Sequence, residues 1–146
     1  MPTYDVAPST GVALRGSTRV SVLKNVIDFD ALYKTTDAFG VVTWNKPIAA
    51  DIVKTHKVKA GSIVLAYGAK CLTAPAGTAL TVTFGATTGT IAGTFTQTAA
   101  LGSVNAATVT AGVLSAATDL TATLTTITTC TALGKWEFYA VVADLN

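Results

Sequence analysis

Apolar and polar side chains alternate with a period of two in several stretches of this chain, the spacing of strands with one covered face. Leu80–Phe84 is the clearest case. Leu80, Val82 and Phe84 fall on one side, Thr81 and Thr83 on the other. Leu120–Thr128 repeats the pattern, with Leu120, Ala122, Leu124 and Thr126 opposite Thr121, Thr123, Thr125 and Ile127. The closing stretch Lys135–Leu145 sets Trp136, Phe138, Ala140 and Val142 against Lys135, Glu137, Tyr139, Val141 and Ala143. Both of its sides are largely apolar after Glu137, which predicts a central strand. Ser62–Cys71 is nearly continuous apolar and predicts a strand covered on both faces. Arg19–Phe29 is rich in β-formers, but its alternation slips at Leu23–Asn25, where a bulge or turn is expected.

The remaining stretches fill in the order. Asp30–Asp37 has room for one helical turn. Phe39–Trp44 reads as a short strand ended by Asn45-Lys46-Pro47, and Ile52–Val58 as another. Thr73–Thr78 and Gly85–Gly93 carry turn residues and read as loops. Thr94–Thr98 predicts a short strand, and Ala99–Ala117 a long excursion holding one or two more. About eight or nine strands with no long amphipathic helix predict an all-β sandwich. The long excursions favour jelly-roll-like connections over a tight meander. The expected organisation is a single domain over 18–146 preceded by an extended N-terminal arm, 1–17. Pro2, Pro8, Gly11 and Gly16 break regular structure in that arm. Tyr4, Val6 and Leu14 would gain from burial on a neighbouring subunit.

Composition changes the picture at one point. Charged residues are 12% of the 146, about half the usual share for soluble domains. Cys71–Gly134 holds one charged side chain, Asp119, and Thr appears twenty times between Thr73 and Thr131. A small lone domain needs a charged surface to stay dispersed. Low charge therefore points to a homo-oligomer or an assembly subunit. The charge is also uneven. Residues 1–70 carry nine Lys and Arg against five Asp, while the rest carries Lys135 against Asp119, Glu137 and Asp144. A weakly basic half is too small a signal for nucleic acid. It fits docking on an acidic protein surface, for which Arg15, Arg19, Lys54, Lys57 and Lys59 are candidates. In a regular strand Lys57 and Lys59 share a face and Lys54 lies on the other.

Catalytic and metal chemistry find little to work with. His56 is the only histidine, which excludes multi-His metal sites and leaves any nucleophilic triad hanging on one residue. It is expected as a solvated or interfacial strand residue. Asp28 and Asp30 have the spacing of a carboxylate pair, with caps, turns or salt bridges as the plainer reading. Cys71 and Cys130 have no metal spacing; buried thiols are expected, a cross-sheet disulfide being the alternative. Gly85, Gly89 and Gly93 lack the following Lys-Ser/Thr and helix of a phosphate cradle. Trp44 is the candidate for an exposed aromatic contact. No catalytic residue, cofactor or metal is expected, nor a membrane partner. Met1-Pro-Thr-Tyr-Asp lacks a basic and apolar leader, so folding in a reducing cytoplasm is expected.

Four segments carry a resemblance: Asn25-Val-Ile-Asp-Phe29, His56-Lys-Val-Lys-Ala-Gly-Ser-Ile-Val-Leu65, Leu80-Thr-Val-Thr-Phe-Gly85 and Ala132-Leu-Gly-Lys-Trp-Glu-Phe-Tyr-Ala-Val-Val-Ala-Asp-Leu145. Together, over roughly 25–145, they resemble the capsid decoration (cement) proteins of tailed bacteriophages. The chain departs from that pattern in having Lys59 where Pro is expected and Gly85-Ala-Thr-Thr-Gly where Asp-Gly is common. The resemblance implies an all-β virion protein, a homotrimer, that sits on the outer surface of the capsid and binds without catalysis. Its partners would be itself and the major capsid protein, whose neighbouring copies it would clamp. Tyr4, Val6, Leu14, Arg15, Arg19, Lys54, Lys57 and Lys59 are the expected capsid contacts. The alternative expectation is a jelly-roll module, on a virion fibre or secreted, that binds host surfaces or polysaccharide through Trp44.

Overall fold

A computed structural model describes residues 3–5, 19–77, 80–87, 91–96, 102, 104–110, 112–127 and 130–145. In chain order the strands are β1 (Thr3–Asp5), β2 (Arg19–Asp28), β3 (Tyr33–Thr36), β4 (Val42–Asn45), β5 (Ile52–Val58), β6 (Ser62–Thr73), β7 (Ala76–Gly77) and β8 (Thr81–Ala86). They continue with β9 (Ile91–Ala92), β10 (Thr94–Thr96), β11 (Val104–Ala106), β12 (Thr108–Val109), β13 (Thr118–Thr126), β14 (Cys130–Ala132) and β15 (Lys135–Asp144). One 3-10 turn, Phe29–Ala31, is the only helical element among the described residues.

The molecule is an all-β sandwich. Sheet I has the order β1-β5-β13-β8-β10 and sheet II the order β11-β6-β15-β2. The long strands pass from sheet to sheet along the chain: β2 in II, β5 in I, β6 in II, β8 and β13 in I, β15 in II. The strands thus interleave between the two sheets, while the longest excursion joins β8 to its own sheet I neighbour β13. The central place expected for the closing strand is found, since β15 pairs along its whole length with β2 on one side and β6 on the other.

Between the sheets lie Phe29, Tyr67, Phe84, Trp136 and Phe138, with Leu80, Val82, Leu120, Leu124 and Leu133, all buried. Phe84 and Phe138 meet edge to face at 6.4 Å, and Phe29 meets Phe138 in the same way at 5.9 Å. Such pairs add roughly 0.5–1.5 kcal/mol each beyond their buried area. The alternating stretches Leu80–Phe84 and Leu120–Leu124 point their leucines, valine and phenylalanine inward, as their patterns predict.

Three local expectations are corrected. β2 has no bulge: its pairing with β15 runs unbroken from Arg19 to Asp28. The apparent slip arises because Leu23, Asn25 and Ile27 face inward while Val20, Val22 and Val26 face out. Asn25 belongs inside because its amide donates to the Thr55 carbonyl at 3.0 Å. Second, the helical turn is shorter and earlier than 30–37, and Tyr33–Thr36 is strand. Third, the strand expected at Phe39–Trp44 starts only at Val42, and Phe39 sits in the loop before it. Ala99–Ala117 does hold two short strands, β11 and β12. The arm 1–17 lies mostly outside the described residues. Its described part, Thr3–Asp5, runs parallel to Ile52–Lys54 on the edge of the chain's own sheet I.

Candidate interaction surfaces

The β3–β4 hairpin pairs with neither main sheet. Asp28 caps the 3-10 turn by accepting from the Asp30 N–H at 3.0 Å, and Asp30 accepts from the Leu133 and Gly134 N–H groups at 2.8 and 3.0 Å. The two carboxylates are thus a cap and a turn anchor, the plainer of their two readings. Above this base the hairpin runs out with residues 34–44 all exposed. Its register sets Lys34 opposite Trp44 and Thr36 opposite Val42.

The tip is tightly tied. One Asp37 carboxylate oxygen accepts from the Phe39 and Val41 N–H groups at 2.8 and 2.9 Å, and the Asp37 N–H donates to the Val41 carbonyl at 3.1 Å. Gly40 closes the turn at φ +79°, a conformation costly for other residues. This order holds Phe39 in water at 92% exposure, with Val41, Val42, Trp44 and Ile48 also half or more exposed. A two-stranded hairpin with no packed face is marginal by itself, so its many hydrogen bonds are what hold it. The expected exposure of Trp44 is found. Phe39 fits a strand pattern by itself; the sequence signal for its loop is Asp37 preceding Gly40.

The outer face of sheet II is the second apolar surface. β2 contributes Val20, Val22 and Val26, with Lys24 between them; β15 contributes Glu137, Tyr139, Val141 and Ala143. Skipped pairing at Leu65 turns both Leu65 and Ala66 outward on β6. Val20, Val22 and Val113 are 63%, 57% and 59% exposed. Charges stand among them: Lys24 lies 3.6 Å from Glu137, and exposed Lys70 on β6 is opposite Glu137 in register. Tyr139 lies across Gly68, where a Cβ would come within 2.5 Å of the Tyr139 hydroxyl and of the Asn105 carbonyl.

The outer face of sheet I is polar. Thr81, Thr83, Thr121, Thr123 and Thr125 stand in neighbouring rows on β8 and β13, with Thr123 directly opposite Thr83. At its β5 side the pairing with β13 steps from His56 to Lys54, passing over Thr55. That bulge corrects two expectations. It brings Lys54 onto the same outward face as Lys57 and Lys59. It also turns both Thr55 and His56 inward, so His56 is buried, not solvated. Lys54 pairs with Asp119 at 2.9 Å, and Lys59 pairs with Asp144. Two of the three expected shell-contact lysines therefore have acidic partners in their own chain, which leaves Lys57 as the outward cation of the row. Arg19 opens β2, half-buried, opposite Asp144. Of the other expected contacts, Tyr4 lies in β1, while Val6, Leu14 and Arg15 fall outside the described residues.

Inside this bulge lies a polar cluster. The Thr55 hydroxyl is 2.7 Å from the Tyr67 hydroxyl and 3.1 Å from the Leu120 carbonyl, and Tyr67 reaches the Thr121 carbonyl at 3.1 Å. Two hydroxyl protons serve these three contacts. His56 Nδ1 is 3.2 Å from the Thr55 hydroxyl, and Nε2 has no hydrogen-bond partner among the described residues. Burial holds the imidazole neutral and lowers its pKa from 6.5 to about 4, against a smaller opposing pull from the Leu23 backbone. Burial pushes the Tyr67 phenol up as well. The cluster ties β5, β6 and β13 together inside the sandwich. Cys71 is buried and Cys130 half-buried, both as free thiols.

Comparison with family models, with curated proteins and with solved structures finds no match to this chain.

Proposed function

We propose that this protein is a structural assembly subunit of the capsid decoration type, binding the outside of a virus head as an oligomer and clamping neighbouring shell subunits. One observation carries this reading. The sandwich has a complete aromatic core, yet Phe39, Trp44, Val20 and Val22 remain at 92%, 59%, 63% and 57% exposure. Burying such side chains is worth roughly 1.5–3 kcal/mol each, so the surface gains most where something covers it. A standard contact buries about 800 Å² per partner. Repeated around an oligomer and over its several shell contacts, modest interfaces become strong by multivalency. Purified protein added to mature, expanded shells should bind them and raise the temperature at which they rupture. Equal rupture temperatures with and without it would remove the proposal.

A second reading rests on Trp44 alone, which stands exposed opposite Lys34 in the hairpin. An aromatic beside a cation is a workable platform for a sugar ring. Specific binding on a glycan array, lost in Trp44→Ala, would favour that reading over the first.

A further inference from the structure

The chain carries two uncovered apolar surfaces of opposite shape. The hairpin tip is a convex knob, fixed by the Asp37 carboxylate and led by Phe39. The outer face of sheet II is a broad patch with a recessed middle. In register, Ala143 lies between Val20 and Ile63, and Ala66 lies beside Val141, which faces Val22. Small side chains floor the centre while Val20, Val22, Leu65 and Val113 rim it, each more than two-fifths exposed.

We infer that the knob of one copy seats on the sheet II patch of the next copy, head to tail. Area favours a second copy as the occupant. Phe39, Trp44, Val41 and Val42 on the hairpin, with Ile48 just past it, offer about 500–600 Å², taking 150–250 Å² for a fully buried aromatic. That is most of the roughly 800 Å² per partner that a stable contact needs. The centre of the patch matches it in chemistry: Lys24 and Glu137 lie 3.6 Å apart, and the further charges, Lys70 opposite Glu137 and the Asp28–Lys135 pair, stand toward the end of the face away from Val20 and Ala143. Rigidity favours it too: a tip tied by the Asp37 hydrogen bonds loses little freedom on docking. Each copy then has one knob and one patch to offer, so the head-to-tail contact repeats from copy to copy and builds a ring where its rotation closes. This rests on the assembly-subunit reading and supplies its missing piece, the contact that makes the oligomer.

The test uses full-length protein and native mass spectrometry at micromolar concentration. Wild type should form a closed oligomer. Phe39→Ser, which spoils the knob, and Val22→Lys, which spoils the patch, should each be monomeric with thermal midpoints within a few degrees of wild type, since both positions are exposed. Mixing the two variants should restore a one-to-one dimer and nothing larger, because one good knob then meets one good patch. Oligomers persisting in either variant, or a mixture that stays monomeric, would overturn head-to-tail docking. Monomeric wild type would overturn it as well. Shell binding by a monomeric wild type would show that this contact failed while the decoration reading stood.

Discussion

The two outer faces of the sandwich share a backbone and differ by a hydroxyl. On sheet I the outward rows are Thr81, Thr83, Thr121, Thr123 and Thr125, with Lys54 and Asp119 in an ion pair at the side. On sheet II they are Val20, Val22, Val26 and Val141, with Lys24, Glu137 and Lys70 among them and Tyr139 lying over Gly68. Valine and threonine are near isosteres, both β-branched and both at ease in a strand. Local propensity therefore has no preference between the faces. The difference is in what each face meets: hydroxyls suit water or a hydrogen-bonding neighbour, while methyl groups gain only when another surface removes them from water. On the proposed reading sheet II, not the charged β5 side, is the face that gains by being covered.

The largest expected effect lies at the corner where β5 of sheet I meets β2 of sheet II. The unfolded chain takes a proton on His56 near pH 6.5, while the folded chain resists until about 4. The neutral imidazole's contribution is therefore fully present above pH 6.5 and is lost progressively as pH falls from 6.5 to 4. At about 1.4 kcal/mol per pKa unit the loss is on the order of 3 kcal/mol. Urea melts at pH 7 and pH 4 should show it, and the drop should shrink in His56→Gln. An equal drop in that variant would place the acid sensitivity elsewhere.

Next come two glycines, one on each outer face. At Gly68 on sheet II an added Cβ meets the Asn105 carbonyl at 2.5 Å, and backbone cannot step aside cheaply. Gly68→Ala should cost about 2 kcal/mol. At Gly85 on sheet I the nearest atom is the Thr121 hydroxyl at 3.0 Å, the end of a side chain that can turn. Gly85→Ala should stay within about 0.5 kcal/mol of wild type, helped by alanine's smaller backbone entropy loss. Similar melting of the two variants would mean that the Asn105 carbonyl gives way at Gly68 without cost.

The smallest effect concerns the sheet I lysines. Lys54→Ala removes a half-buried partner of Asp119 and should cost at most about 1 kcal/mol, less in high salt. The same substitution should leave the oligomer intact, whereas Val20→Thr with Val22→Thr should loosen it and lower the melting temperature only by the assembly it loses. The reverse result would move the contact surface to the basic side.

Much of the sandwich was legible in the sequence, because period-two patterns with a true polar side leave one reading. Leu80–Phe84 and Leu120–Leu124 fall where their leucines, valine and phenylalanine place them, and the closing strand, apolar on both sides, takes the central place that this implies. The candidate surfaces were harder to see for three physical reasons. Outward valines on β2 look like core, so the regular strand seemed to slip at Leu23–Asn25. A bulge at Thr55 has no residue signature, yet it inverts the facing of everything after it, burying His56 and aligning the lysines. And Phe39 reads as a strand residue until the Asp37 carboxylate is seen gathering the N–H groups of Phe39 and Val41.

Native mass of the full-length protein at micromolar concentration tests the central claim most directly. A closed oligomer that falls to monomer on Phe39→Ser is the predicted result. A monodisperse monomer in the unmodified protein, with Phe39 and the sheet II valines left in water, would contradict it.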